Sequence, residues 1–190
     1  MNDKVFATIG ATNHTEKTRP NNDYYTTDPI AIDLLQKHHL LSKGKYWECA
    51  CGKGDLSERL KYYGYDVYSS DISDHGYGDT GIDFLNQNKP FENILTNPPY
   101  NLITDFILKG LELAENSLYI FGRIQLLESL GRWEAIFRGN SPTYVCPFVK
   151  RVSCYRGGVK DNKSSAVCYA WFIWHKKLLQ CNRTQIKWLI

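Results

Sequence analysis

Between Gly44 and Gly122 short apolar runs alternate with longer amphipathic ones, and this rhythm restricts the chain more than any other feature. "KYWECA" (45–50), "YDVYSSD" (65–71), "FENILTN" (91–97) and "SLYIFG" (117–122) read as strands. "GDLSERLKYYG" (54–64) and "LITDFILKGLELAEN" (102–116) read as helices. Strands joined by helices of about ten or more residues run parallel, because such a crossover returns the chain to the same edge of the sheet. Helices then cover both faces, which predicts an α/β fold. Upstream, Asp28-Pro29 predicts an N-cap with proline at the first helical position of "PIAIDLLQKHHL". Ile30, Ile32, Leu34 and Leu35 supply its apolar face. Downstream, residues 124–137 predict a further helix. "TYVCPFVKRV" (143–152) and "AVCYAWFIWHK" (166–176) follow as two apolar strands, and the segment between them is too short for a crossover helix. They are expected as antiparallel neighbours at the end of the sheet, with "TQIKWLI" (184–190) adding an edge strand.

With 190 residues, 43% of them hydrophobic, the chain is long enough for one well-filled core and one domain. No apolar run approaches the roughly 18 residues of a membrane span, and the N-terminus lacks the apolar middle of a signal peptide. The expected setting is therefore the cytoplasm, without membrane contact. Six cysteines (Cys49, Cys51, Cys146, Cys154, Cys168 and Cys181) form no C-x-x-C pair, so no metal is expected and the thiols are expected reduced and largely buried. Residues 1–22 are polar and aperiodic and read as a flexible arm or a lid ordered by ligand, leaving 23–190 as the single folded domain. Charge is unevenly spread. Residues 1–122 hold 17 Asp/Glu against 11 Lys/Arg, whereas residues 123–163 hold 8 Lys/Arg against 3 Asp/Glu. A basic rear suggests a polyanionic partner.

Ligands of open α/β sheets bind beyond the carboxyl ends of the strands. There the first strand runs into "ECACGKGDL", whose Gly52 and Gly54 permit a tight turn and close backbone approach. Asp71 ends the next strand 23 positions after Glu48 and suits two ribose hydroxyls; Asp83-Phe84 offers a carboxylate and a ring for an adenine. Further on, Pro98 and Pro99 fix two φ angles behind an amide side chain, Asn97, and ahead of an aromatic ring, Tyr100.

Taken in order, "ECACGKG", "SSDI", "GIDFL" and "NPPY" resemble the motifs of class I S-adenosylmethionine-dependent methyltransferases. More narrowly, they resemble the small phage or prophage enzymes that make N6-methyladenine in DNA. The tract "NDYYTTDPIAIDLL" looks like the motif those enzymes place upstream, and the likeness extends from about Asp23 to His175. It implies a Rossmann-like, mostly parallel seven-stranded sheet with an antiparallel last hairpin and helices on both faces. It implies S-adenosylmethionine as cofactor, S-adenosylhomocysteine as product, and no metal. Glu48, Cys49, Ala50, Gly52 and Gly54 would hold the methionine part, with Tyr25, Thr26, Thr27 and Pro29 lining the same side. Asp71 and Ile72 would take the ribose end, and Asp83 and Phe84 the adenine, with Asn97 bordering the cofactor. Cys51 stands where related enzymes often carry proline or a small residue, and a small buried thiol fits there equally well.

An exocyclic amine conjugated to a base is a poor nucleophile. Two acceptors on its two N–H bonds turn the lone pair out of the ring plane and stabilise the positive charge that develops on nitrogen. The Asn97 oxygen and the Pro98 carbonyl, stiffened by Pro99, are the expected acceptors, and Tyr100 the stacking face. Rigidity matters because a misplacement of about 1 Å can cost roughly 100-fold. Guanine N2 in RNA, adenine N6 in RNA and the glutamine side-chain amide need the same acceptors and remain rival substrates. Nucleic acid is the expected partner, with no obligate protein partner. The phosphate contacts are expected from Arg123, Lys150, Arg151, Arg156, Lys160 and Lys163, with Arg132 and Arg138 nearby. Only about 40 residues separate the G-x-G turn from "NPPY", so no target-recognition domain is inserted there and sequence specificity is expected to be short or relaxed.

Overall fold

A computed structural model describes residues 25–152, 154–156, 167–181 and 183–190. The expected arm at 1–22 and the cations Lys160 and Lys163 lie outside them. In chain order the elements are β1 (Tyr25–Thr27), α1 (Ile30–Lys37), β2 (Tyr46–Glu48), α2 (Asp55–Tyr62), β3 (Val67–Asp71), β4 (Asp79–Thr80), β5 (Phe91–Thr96), α3 (Ile103–Leu113), β6 (Ala114–Arg123), α4 (Leu130–Arg132), β7 (Tyr144–Pro147), β8 (Cys154–Arg156), β9 (Tyr169–His175) and β10 (Gln185–Ile186). Eight of the strands form one sheet in the order β10-β7-β9-β6-β5-β2-β3-β4. Only β9 runs against its neighbours, pairing antiparallel with both β6 and β7. The expected sheet had seven strands, β10 at one edge among them; the short strand β4, which pairs parallel with β3 at the other edge, makes eight.

Side chains alternate along the central strands, and each set meets a helical layer. Ile94, Leu118, Ile120, Phe172 and Trp174 pack with Ile103, Phe106, Ile107 and Leu111 of α3. Leu95, Tyr119, Phe121, Trp171 and Ile173 pack with Ala31, Ile32 and Leu35 of α1 and with Leu56 and Leu60 of α2. Burial on both faces explains why these strands read as nearly unbroken apolar runs. Asp28 accepts the Ile30 N–H at 3.0 Å and caps α1 as its sequence suggested. Ile30 itself is exposed, so the buried stripe of α1 is Ala31, Ile32 and Leu35. The Trp171 indole N–H donates to the Ala31 carbonyl at 3.0 Å and anchors α1 to the sheet.

Two expectations at element ends are corrected. The predicted helix 102–116 stops at Leu113, because Ala114, Glu115 and Asn116 join β6, where Ala114 pairs with Phe91. Sheet pairing there overrides helix propensity. The predicted helix 124–137 is broken into a 3₁₀ turn (Ile124–Leu127), α4 and a π-helical turn (Trp133–Phe137). Ser129 takes φ +99 and its hydroxyl accepts the Arg132 N–H, an alternative to continuing the helix. Cysteine burial is also uneven: Cys49, Cys51 and Cys146 are buried, whereas Cys168 is exposed.

Trp171→Phe keeps an aromatic ring but removes the indole donor that ties the Ala31 carbonyl to the sheet. It is expected to cost about 2–3 kcal/mol, read as a lower urea midpoint at unchanged m-value. A loss below about 0.5 kcal/mol would show that the bond does not anchor α1.

Candidate functional site

Parallel strands deliver their carboxyl ends to one edge. On that edge β2 ends in Glu48, β3 in Asp71, β5 runs into Asn97 and β6 ends in Arg123. The chain leaves β2 toward β3 on one side and β5 lies on the other, so the strand order reverses between Glu48 and Asn97. A cleft of about 250 Å³, open solvent included, sits there, lined by Thr27, Glu48, Ala50, Cys51, Asp55, Leu56 and Asn97.

The turn after β2 needs its glycines. Gly52 (φ +52) and Gly54 (φ +86) hold left-handed backbone, and a Cβ on Gly54 would lie 2.5 Å from the Tyr77 ring. The Gly52 N–H donates to Asp71 Oδ2 at 2.9 Å, and the Ser73 N–H to Asp71 Oδ1 at 2.9 Å, so this carboxylate ties two strand ends together. Cys51 is buried as expected, its thiol pushed up to about 12 chiefly by burial. Cys49 turns its side chain into the core, leaving only its backbone for the cleft.

Glu48 is 1% exposed, and neither carboxylate oxygen meets a hydrogen-bond donor within bonding geometry. Burial drives its carboxyl well above the ordinary carboxylate range; the nearby Thr96 hydroxyl and Ala50 backbone pull the other way, less strongly. Such a group invites a cationic or donor-rich ligand.

Asn97 is oriented from outside its own loop. Its side-chain amide donates to Thr27 Oγ1 at 2.8 Å, which leaves Asn97 Oδ1 buried and without a partner among the described residues. Thr27 is placed by β1, which pairs antiparallel with β8 and sets Thr27 opposite Cys154. The Pro99 carbonyl accepts the Leu102 N–H at 3.0 Å, whereas no donor among the described residues reaches the Pro98 carbonyl. Tyr100 then opens a 3₁₀ turn leading into α3, its ring 6.5 Å from that of Tyr169 and nearly parallel to it.

Several expected residues sit differently. Phe84 is 2% exposed, packed edge-on to Trp47 and against Phe106, so it belongs to the core and offers no face to a ligand. The exposed apolar side chain near Asp71 is Ile72, at 63%. Asp83 caps the turn Phe84–Asn86, with one oxygen accepting the Leu85 N–H and the other the Asn86 amide. Arg132 donates to the carbonyls of Gln125 and Glu128 and so braces its own loop. Arg123 is half-buried, its guanidinium 4.5 Å from the centre of the Tyr100 ring, and is not a free surface cation. Lys150 and Arg151 are exposed just beyond β7, on the same edge of the sheet, and Arg156 lies in β8. Thr26 precedes Thr27 on the chain and Pro29 follows two positions on; of these three Thr27 lines the cleft, and Tyr25 begins β1. Asp55 and Leu56 line it too, and went unread in the sequence although an acid opening the helix after G-x-G marks a ligand-facing turn. Among the described residues no three His, Cys, Asp or Glu side chains converge as metal ligands would, and no helix is long and apolar enough to cross a membrane.

Scanned against protein-family models and curated proteins, the sequence matches none. Solved structures do resemble it. A candidate RNA methyltransferase from Pyrococcus horikoshii superposes with a TM-score of 0.57 at 15% identity, over 77% of this chain and 81% of its own. The fold is that of the class I methyltransferases. Magnesium protoporphyrin IX methyltransferase from Synechocystis, solved with bound S-adenosylmethionine, gives 0.50 at 15% identity over 76% and 74%. A TehB-like S-adenosylmethionine-dependent methyltransferase from Corynebacterium glutamicum gives 0.50 at 14% over 78% and 88%. At such identity the methyltransferase fold is shared while the described substrates differ, so the substrate must be argued from the side chains at the edge.

The Glu48 environment makes a sign-definite prediction. A carboxyl raised by folding keeps its proton in the native state after the unfolded chain has lost its own. Stability therefore falls as pH rises above the unfolded value. Glu48→Gln removes this loss, so without ligand the variant is expected to melt higher than wild type at pH 8 and by a smaller margin at pH 5. In a chain of this size each kcal/mol reads as about 2–4 °C. An equal margin at both pH values would contradict the burial argument.

Proposed function

We propose that this protein transfers a methyl group from S-adenosylmethionine to the exocyclic N6 of adenine in DNA, with short or relaxed sequence specificity. The observation that carries the reading is the Asn97 oxygen, buried, without a partner and fixed by Thr27 beside the Glu48 cleft. An acceptor held bare in a methyltransferase fold is suited to an N–H-bearing substrate and has no evident structural purpose.

The residues present fit the cofactor. Glu48, with two buried oxygens lacking donors, suits its ammonium group, and the glycine turn lets the backbone approach the methionine part. Asp71 has lone pairs left beyond its two backbone bonds for ribose hydroxyls, and Ile72 presents an apolar face for the adenine where Phe84 does not. When bound, the cofactor supplies an electrophilic methyl on a sulfonium. Asn97 Oδ1 and the Pro98 carbonyl would each accept one N–H of the target amine, drawing its lone pair out of conjugation and stabilising the charge that forms on nitrogen. Thr27 acts through Asn97 as a positioning residue.

The basic rear and the exposed Lys150 and Arg151 at the ligand edge support a nucleic-acid substrate. Leu130 and Trp133, exposed beyond β6, are apolar side chains of the kind that fill a stack vacated by a flipped base. RNA is the second reading, favoured by the structural likeness to the Pyrococcus protein. Labelled S-adenosylmethionine offered with duplex DNA, single-stranded DNA and tRNA, followed by nucleoside analysis, separates the readings. N6-methyladenosine in its deoxy form is expected, and label confined to RNA would overturn the DNA assignment.

Two variants probe the acceptor. Asn97→Ala is expected to lower the transfer rate about 100- to 1000-fold with cofactor affinity within severalfold of wild type, as checked by calorimetry. Thr27→Val should lower the rate constant by about tenfold or more without moving cofactor affinity. Full activity in either would remove the role given to the Asn97 oxygen.

A further inference from the structure

Arg123 ends β6, one strand over from the end of β5 that leads into Asn97. Its guanidinium lies 4.5 Å from the centre of the Tyr100 ring, and its register partner on β9 is Tyr169, whose ring lies alongside Tyr100. The Nε atom is buried, and among the described residues it meets no hydrogen-bond partner and no carboxylate pairs with this side chain. A buried N–H left without an acceptor is costly, and a guanidinium cannot relieve the cost by losing its proton. This one is drawn in against the aromatic ring that borders the acceptor corner.

We propose that Arg123 reads the target base, donating from its buried Nε to a ring nitrogen beside the amine that is methylated. The inference rests on the adenine reading above. In adenine the amine is flanked by N1 and N7, both acceptors, so a donor at the next strand end, against the ring of the residue two positions after Pro98, complements that edge. With the Asn97 and Pro98 oxygens, Arg123 would complete an acceptor–acceptor–donor set. The amine satisfies two of them and a ring nitrogen the third. A base that presents an N–H in that place leaves two donors facing each other and is rejected, which gives discrimination from one hydrogen bond.

The test is a cycle between protein and base. DNA oligonucleotides carrying adenine, 1-deazaadenine or 7-deazaadenine are methylated by wild type and by Arg123→Met, which keeps length and apolar packing on Tyr100 but has no donor. On adenine, the variant is expected to lose about 10- to 100-fold in kcat/KM. On one of the two deaza bases, wild type loses a similar factor and the variant loses little more. Comparing the two proteins on each base cancels any change in the intrinsic nucleophilicity of the amine. Equal adenine-to-deaza ratios in both proteins, for both deaza bases, would overturn the proposal. So would a uniform loss across all three substrates with a shallower salt dependence, the mark of a phosphate contact. Should the Met variant melt early, Arg123→Lys, which keeps the alkyl stem and charge but has no donor at the ε position, carries the same comparison. Wild type that transfers no methyl to adenine in any nucleic acid would instead defeat the functional reading itself.

Discussion

Parallel strands joined by helical crossovers must all finish on one side of the sheet, and the candidate site of this protein is concentrated there for that reason. Glu48, Asp71, Asn97 and Arg123 are far apart in sequence, yet each stands at or just past the end of a neighbouring strand. Reversal of strand order between β2 and β5 opens the crevice, because the crossover helices leave that point in opposite directions. Burial of the sheet on both faces by α1, α2 and α3 keeps those strand ends in fixed relation.

Elsewhere in the described interior most polar side chains find a donor or acceptor, Asn93 Oδ1 excepted. Trp47 donates to Ser70, Trp171 to Ala31 and Trp174 to Asn140, and the Asn93 amide to two carbonyls. Against that background the unpartnered atoms are informative. Among the described residues both oxygens of Glu48, the Thr96 hydroxyl, Asn97 Oδ1 and Arg123 Nε are buried without hydrogen bonds, and all lie at the carboxyl-end edge of the sheet. Native proteins leave few such groups, and those they leave tend to mark places where a ligand completes the set. Their signs differ in a useful way: acceptors and a carboxylate line the cleft, and a cation stands beyond Tyr100.

Strand alternation, the cap of α1, the antiparallel last pair and the added edge strand were all legible in the sequence. They follow from local periodicity and from a connection length that permits only one geometry. The acidic strand ends were legible for the same reason. What escaped were outcomes decided by tertiary partners. Ala114, Glu115 and Asn116 favour helix locally but pair with β5. Phe84 reads as a ligand face from its neighbour Asp83, yet Trp47 and Phe106 claim its ring. Arg123 and Arg132 look like surface cations in a basic tract, and only the fold reveals that one leans on Tyr100 and the other braces its loop. The Thr27–Asn97 bond joins residues 70 positions apart, a distance over which sequence pattern carries no signal.

That bond has a consequence for when the chain becomes competent. Thr27 is held by β1, and β1 exists only as the partner of β8, a segment encoded some 130 residues later. Loop closure over such a span is slow and comes late in folding. During synthesis, then, the glycine turn and "NPPY" emerge from the ribosome well before anything aligns their amide. A half-made polypeptide carries the motifs of the candidate site without the contact that orients Asn97, and the final third of the chain supplies it.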